Sequence, residues 1–227
     1  MGNDHVEVLF HIFNIPVTNV VVMSWIAMAV IIIWALLATR KLEAVPKGLQ
    51  NTAELVVEAI NNFVHGIIGH DSKYFVSYLG TLVIFLAIAN TLGALFMTGI
   101  TEGVVGPITR YMAVPAALAI MTILLSIGAG FWKKGFFGFF KSLFKPNPII
   151  FPFKILDFFT KPLSLCMRLY GNIFAAYVLM EMVFENLPWF FPAVACLYFD
   201  LFDGGLQAFV FFLLTTLYIS EEVETEE

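Results

Sequence analysis

Residues 15–38 read IPVTNVVVMSWIAMAVIIIWALLA, without one charged side chain. A bilayer's hydrocarbon core, about 30 Å thick, is crossed by roughly 20 helical residues, so this stretch is long enough to span it. It stops at Arg40 and Lys41, with Pro46 just beyond, so the chain turns at a charged boundary. Working outward, comparable apolar runs recur at 74–97, 112–132, 161–187 and 193–220. A chain that is 60% hydrophobic and 13% charged, with 25 Phe, cannot clothe such runs in a solvated skin. A single anchoring helix does not account for them either, because they run from end to end. The reading is a single polytopic membrane domain, all-α, with five membrane helices.

Two segments read differently. From 48 to 68, Leu49, Ala53, Val56, Ile60, Phe63 and Ile67 recur at helical spacing, while Gln50, Asn51, Glu54, Glu58, Asn61 and Asn62 take the other faces. That pattern predicts one amphipathic helix lying on the membrane surface. Residues 133–160 mix Lys with Phe and are broken by Pro146, Pro148 and Pro152, which predicts a cytoplasmic interfacial loop. The last two runs, 161–187 and 193–220, would each be roughly 40 Å long as helices, more than the core requires, and are expected to tilt strongly.

All but two of the 12 Lys and Arg residues fall on one side of this alternating topology. Arg110 falls opposite and Arg168 lies inside a helix. The positive-inside rule therefore puts residues 1–14 outside, and the surface helix, the 133–160 loop and the acidic tail 221–227 in the cytoplasm. MGNDHVEVLF has no basic residue ahead of the first apolar run and carries Val6 where acylation favours Ser or Thr, so neither a cleaved leader nor a myristoyl anchor is expected. No basic stripe suits nucleic acid. Cys166 and Cys196 lie in apolar runs and read as packing residues; the four His lie in termini or surface segments, so no haem, metal or other cofactor is expected.

The informative residues are the polar ones at membrane depth. Arg168 sits in SLCMRLYGNIFAAYVLM, where insertion costs about 2.5–3.5 kcal/mol. Snorkelling to the interface is one reading, but Lys161 already marks that boundary. Ser164 and Asn172, four residues either side, share its face, so a polar stripe around a buried cation is expected, with water or an anionic partner beside it. Asp200, Asp203 and Gln207 share a face of the last helix. The two acids read either as a headgroup-exposed pair or as part of an ion path, and Gln207 as an interhelical hydrogen bond or a path-lining amide. Glu181 and Glu185 fit an acidic vestibule or a solvated helix end. Asn90 is read as a structural hydrogen bond.

At these residues the chain resembles the a subunits of rotary F-type ATP synthases, bacterial type. PLSLCMRLYGN (162–172) is similar to the family's arginine motif, and LQAFVFFLLTTLYIS (206–220), with the acidic tail, to its final-helix signature. PKGLQNTAE (46–54) and the segment at Asn90 are weaker matches. The resemblance implies a stator in the Fo sector, in the cell membrane, with two long tilted helices against a ring of c subunits. It implies the b subunits of the peripheral stalk and the rest of the complex as further partners. By the same likeness Arg168 is the stator arginine, Ser164 falls near the inner ion path, and Asn172 and Gln207 match polar residues beside the arginine and along the outer path; Asp157 is expected to join Ser164 at the inner exit on its position alone. Tyr177 stands where many members have Glu, and Asp200 where many have His, so Asp200, Asp203 and Glu181 become the outer-path candidates. AVPAALAIMT in the third run lacks the family's usual polar residues. A self-contained transporter or channel with an arginine substrate site is the competing class, and would be expected to show inverted repeats or broken helices. A purely structural membrane subunit would leave the Arg168 stripe without a role.

Overall fold

In the computed structural model the chain is described over residues 8–12, 15–40, 42–99, 108–143, 151–186, 202 and 204–224. The chain is helical as expected, apart from a short hairpin at the N-terminus. Val8–Ile12 (β1) pairs antiparallel with Ile15–Thr18 (β2), so residues 15–18 belong to a hairpin rather than to the first span. Pro16 cannot donate a backbone hydrogen bond and holds Ile15 extended, while Ile15, Val17 and Thr18 are β-branched. Helix begins at the next residue.

Six helices follow among the described residues: α1 (Asn19–Thr39), α2 (Leu49–Ile68), α3 (Ser72–Gly99), α4 (Ala113–Leu143), α5 (Phe151–Asn186) and α6 (Gly204–Val223). By length and composition, four helical stretches among them can cross a membrane: α1, the run Leu49–Leu92 through α2 and α3, most of α4, and α6. The chain is thus a helical, multi-pass membrane protein. α5 carries one charge, Arg168, between Leu163 and Met180, and its side chains are only partly described; it is not among these four.

A helix is present over the expected 48–68 as α2, although apolar Leu49 is 53% exposed and polar Gln50 is buried. Ala53, Val56, Ile60, Phe63 and Ile67 are half-buried, and Glu54, Glu58, Asn61 and Asn62 are exposed. The turn before it is clamped by Gln50, whose amide accepts from the Glu43 N–H and donates to the Glu43 carbonyl, each at 3.0 Å.

The interfacial loop expected over 133–160 is corrected by helix at both of its ends. α4 continues past residue 132 to a break at Gly135, whose φ of 68° is the left-handed conformation glycine tolerates best. The following turns fold back so that Phe139 lies 4.3 Å from Phe131, ring centre to ring centre, and 6.3 Å from Phe158 of α5. α5 then starts at Phe151 rather than near 161. Pro152 sits in its first turn, where a missing N–H costs nothing, and Pro162 in its interior removes only one helical bond. The first part of the expected final span, 193–203, lies outside the described residues apart from Phe202.

Packing between the helices relies on small residues, as expected where lipid removes the hydrophobic drive for helix association. Ala27 of α1 and Ala89 of α3 share one buried cluster, and Ala119 of α4 and Ala208 of α6 another with Leu82, Leu86, Leu165, Leu169 and Phe211. Outward faces stay apolar, with Ile32, Ile33, Leu36, Ile120, Met121 and Leu124 exposed, which suits a hydrocarbon solvent.

Polar contacts fix the register. Asn90 of α3 donates to the Gly204 carbonyl of α6, and Ser126 of α4 donates to the Tyr218 carbonyl of α6. Ser220 donates to the Ile67 carbonyl, and the pairs Lys133–Asp71 and Lys161–Glu221 cluster at that same end. This is the Lys-rich end of the bundle.

Candidate functional site

Helix geometry decides how α5 presents its polar residues. Leu165, Cys166 and Leu169 point into the core. At about 100° per residue, Arg168 falls roughly 60° to one side of Leu165. Its side chain is exposed, as is Ser164, while Asn172 is half-buried. Each step of four residues advances about 40° around the helix, so the stripe winds from the outer surface towards α6. There Asn172 Nδ2 donates to Gln207 Oε1 at 3.4 Å, a long bond. Gln207 is buried.

Two expectations meet here. The shared face of Ser164, Arg168 and Asn172 is present, and Gln207 joins it across the α5–α6 seam. Arg168 lies on the surface of the bundle, because Leu165, Cys166 and Leu169 claim the inward side. The seam runs antiparallel. Lys161 Nζ lies 5.2 Å from the Tyr218 ring, so counting back from that contact and from Asn172–Gln207 sets Arg168 level with Phe211 and Ser164 level with Thr215.

The surface around Arg168 is apolar. Leu163 and Met167 on the same open side of α5 are 60% and 53% exposed, and Leu206 of α6 is 46% exposed; exposed Phe209 lies on the other side of α6, with its ring 5.6 Å from that of Phe63. The ion pairs between described residues, Lys133–Asp71 and Lys161–Glu221, do not involve it. A guanidinium carries five donors and does not give up its proton. Set on an apolar face at membrane depth, it needs water or an anion from outside the chain.

The remaining candidates fall as follows. Asp200 and Asp203 lie outside the described residues. Glu181 and Glu185 belong to the last turns of α5, with side chains outside the description. Asp157 is exposed near the Lys-rich end. Asn90 is structural, as expected: it accepts from Thr109 Oγ1 at 2.7 Å and donates to the Gly204 carbonyl at 3.3 Å. A Cβ on Gly204 would sit 3.2 Å from that of Asn90, so the glycine permits the approach. Thr109 and Gly204 were not foreseen, since a threonine and a glycine carry no depth-dependent penalty that would mark them.

Comparison with known proteins shows the family. The family model for the ATP synthase A chain matches residues 21–220, taking in the arginine stripe and Gln207. The chain is 34% identical over 229 residues to a protein of Propionigenium modestum named ATP synthase subunit a, sodium ion specific, covering 97% of this chain and 79% of that one. It is also 34% identical over 215 residues to the ATP synthase subunit a of Moorella thermoacetica, covering 95% of each. These relatives favour a stator that moves ions as part of a larger machine over a self-contained transporter. With the match running through nearly every helix and both motifs, the chain belongs to the ATP synthase A chain family, the membrane-embedded a subunits that work against a c-subunit ring.

Proposed function

We propose that Arg168 is the fixed charge facing the carboxylates of the c ring, and that the exposed apolar surface of α5 and α6 around it is the ring-facing surface. The observation that carries this reading is an exposed guanidinium on the open side of α5 that also bears exposed Leu163 and Met167, next to the α6 seam. A rotor carboxylate crosses hydrocarbon cheaply when neutralised and at high cost when charged. A fixed cation nearby favours the ionised form, lowering an acid's pKa by roughly 1–3 units, and so promotes release of the bound ion. The arginine cannot relay a proton itself. Two aqueous half-channels separated by it then force ions to travel by rotation, each charge yielding about 2.3 kcal/mol per 100 mV.

In this reading Ser164 and Asp157, towards the Lys-rich end, border the inner path. Asn172 and Gln207, on the other side of the arginine, border the outer one, with Asp200, Asp203 and Glu181 beyond them. The gathering of basic residues at one end supports a cytoplasmic Lys-rich end with the N-terminus outside. The five-span arrangement counts α5 as a span despite Arg168, because a ring on its outer face supplies the counter-charge, and lays α2 along the membrane surface. The b subunits of the peripheral stalk are expected against the remainder of the chain. One relative is named sodium ion specific and the other carries no such label at the same identity, so the transported ion is left to the rotor.

The test is ATP-driven ion pumping by the reconstituted complex carrying Arg168→Ala. Loss of pumping with normal subunit composition supports the assignment, and normal pumping refutes it. Asp200→Asn should slow ion access more than assembly; unchanged driven flux removes it from the path.

A further inference from the structure

Helical threonines in this chain ordinarily turn their hydroxyls onto their own backbone. Thr39, Thr52, Thr81, Thr91 and Thr216 each donate to the carbonyl four residues earlier. Such back-bonding is the default for a hydroxyl with nothing better nearby. Thr122 of α4 and Thr215 of α6 depart from it. They are 1% and 0% exposed, and their hydroxyl oxygens have no hydrogen-bond partner. The phenol oxygen of Tyr78 on α3 is in the same condition: it neighbours Thr122 without meeting the geometry of a hydrogen bond.

The register contacts put these three oxygens at one height. From the Asn90–Gly204 bond, Tyr78 lies roughly 18 Å back along α3 and Thr215 roughly 17 Å forward along antiparallel α6. From the Ser126–Tyr218 bond, Thr122 lies one turn back along α4 and Thr215 about one turn back along α6, which runs the same way. A buried hydroxyl left without a partner costs about 1–3 kcal/mol. Three of them converging from three packed helices match the two to four polar partners of a buried water.

We propose that Tyr78, Thr122 and Thr215 bind an ordered water inside the α3–α4–α6 packing, one turn to the Lys-rich side of Arg168. The water links the three helices through their hydroxyls. It is not part of the ion path: buried Leu165, Leu169 and Phe211 pack between it and the arginine face. The site offers neutral oxygens alone, which suits water; a cation at such depth calls for a carboxylate.

The test uses the whole ATP synthase and the rate at which heat inactivates it. Thr122→Val and Thr215→Val keep the side-chain shape and remove the hydroxyl, and each should speed inactivation about fivefold. Because one water serves both, the double variant should fall well short of the roughly 25-fold product expected of independent sites. Thr215→Ser, which keeps the hydroxyl and loses a methyl, should stay closer to the parent than Thr215→Val. Ions pumped per ATP should be unchanged in all surviving complexes. Valine variants as durable as the parent, a multiplicative double variant, serine worse than valine, altered pumping stoichiometry, or protection that follows sodium concentration would each overturn the proposal. A density map of the unsubstituted complex reads the site directly. A peak within hydrogen-bonding distance of at least two of the three hydroxyls supports it; both threonines turned onto the Leu118 and Phe211 carbonyls, with no peak, overturns it.

Discussion

Asn90 and Arg168 are both polar groups carried into membrane depth by apolar helices, yet the chain treats them in opposite ways. Asn90 is 2% exposed and satisfied from within, by Thr109 on one side and the Gly204 carbonyl on the other. Arg168 is left on the outer surface, flanked by large exposed apolar side chains. The same solvent penalises both. What differs is where the compensating group resides: in the first case in this chain, in the second, on the proposal made for Arg168, in a partner. A polar residue completed internally belongs to the architecture, and one left open on an apolar face belongs to the function.

The sharpest way to break this contrast is to remove each group in turn. Arg168→Ala should cut ATP synthesis in reconstituted vesicles by at least about 100-fold, as loss of an electrostatic group central to a reaction does, with the amount of assembled complex unchanged. Asn90→Ala should do the reverse. It strands the Thr109 hydroxyl and the Gly204 carbonyl at about 1–3 kcal/mol each, which should be seen as lower yield and earlier thermal disassembly, with turnover per surviving complex near normal. Gly204→Ala probes the same junction by crowding. With Asn90 Cβ at 3.2 Å from the added carbon, the expected destabilisation is about 1–3 kcal/mol, read from the same thermal measurement.

Smaller effects sharpen the boundary between the two regions. The Asn172–Gln207 bond at 3.4 Å is long, so a double-mutant cycle on the pair should give a coupling below about 1 kcal/mol in stability, while Gln207→Leu should still slow driven ion flux. A stability coupling of several kcal/mol would move Gln207 to the architectural class. Smallest of all is Lys161–Glu221, whose carboxylate is 60% exposed. Glu221→Gln should cost at most about 1 kcal/mol and less as salt is raised.

Much of this division could be read from residue order alone. Apolar length located the helices, and the helical spacing of 48–68 marked α2 as a helix, because periodicity is a local property. The face shared by Ser164, Arg168 and Asn172 was legible for the same reason. The side of α5 on which that face lies was not: it depends on where Leu165, Cys166 and Leu169 find partners on α3, α4 and α6. Prolines misled in a definite way, because Pro152 breaks a run in the sequence but sits harmlessly in the first turn of a helix. The hairpin at Val8–Ile12 and Ile15–Thr18 was hidden by hydrophobicity that suits a strand as well as a span. Neutral hydroxyls such as Thr122 and Thr215 gave no signal, since threonine is unremarkable in any helix until its neighbours are known.

The central claim is that the Arg168 surface is completed by a rotor carboxylate. A density map of the intact complex measures this most directly. The account predicts the c ring seated on the face bearing Leu163, Met167 and Arg168, with a ring carboxylate opposite the guanidinium. A ring docked on another face, with Arg168 turned to lipid or bulk water, would contradict it.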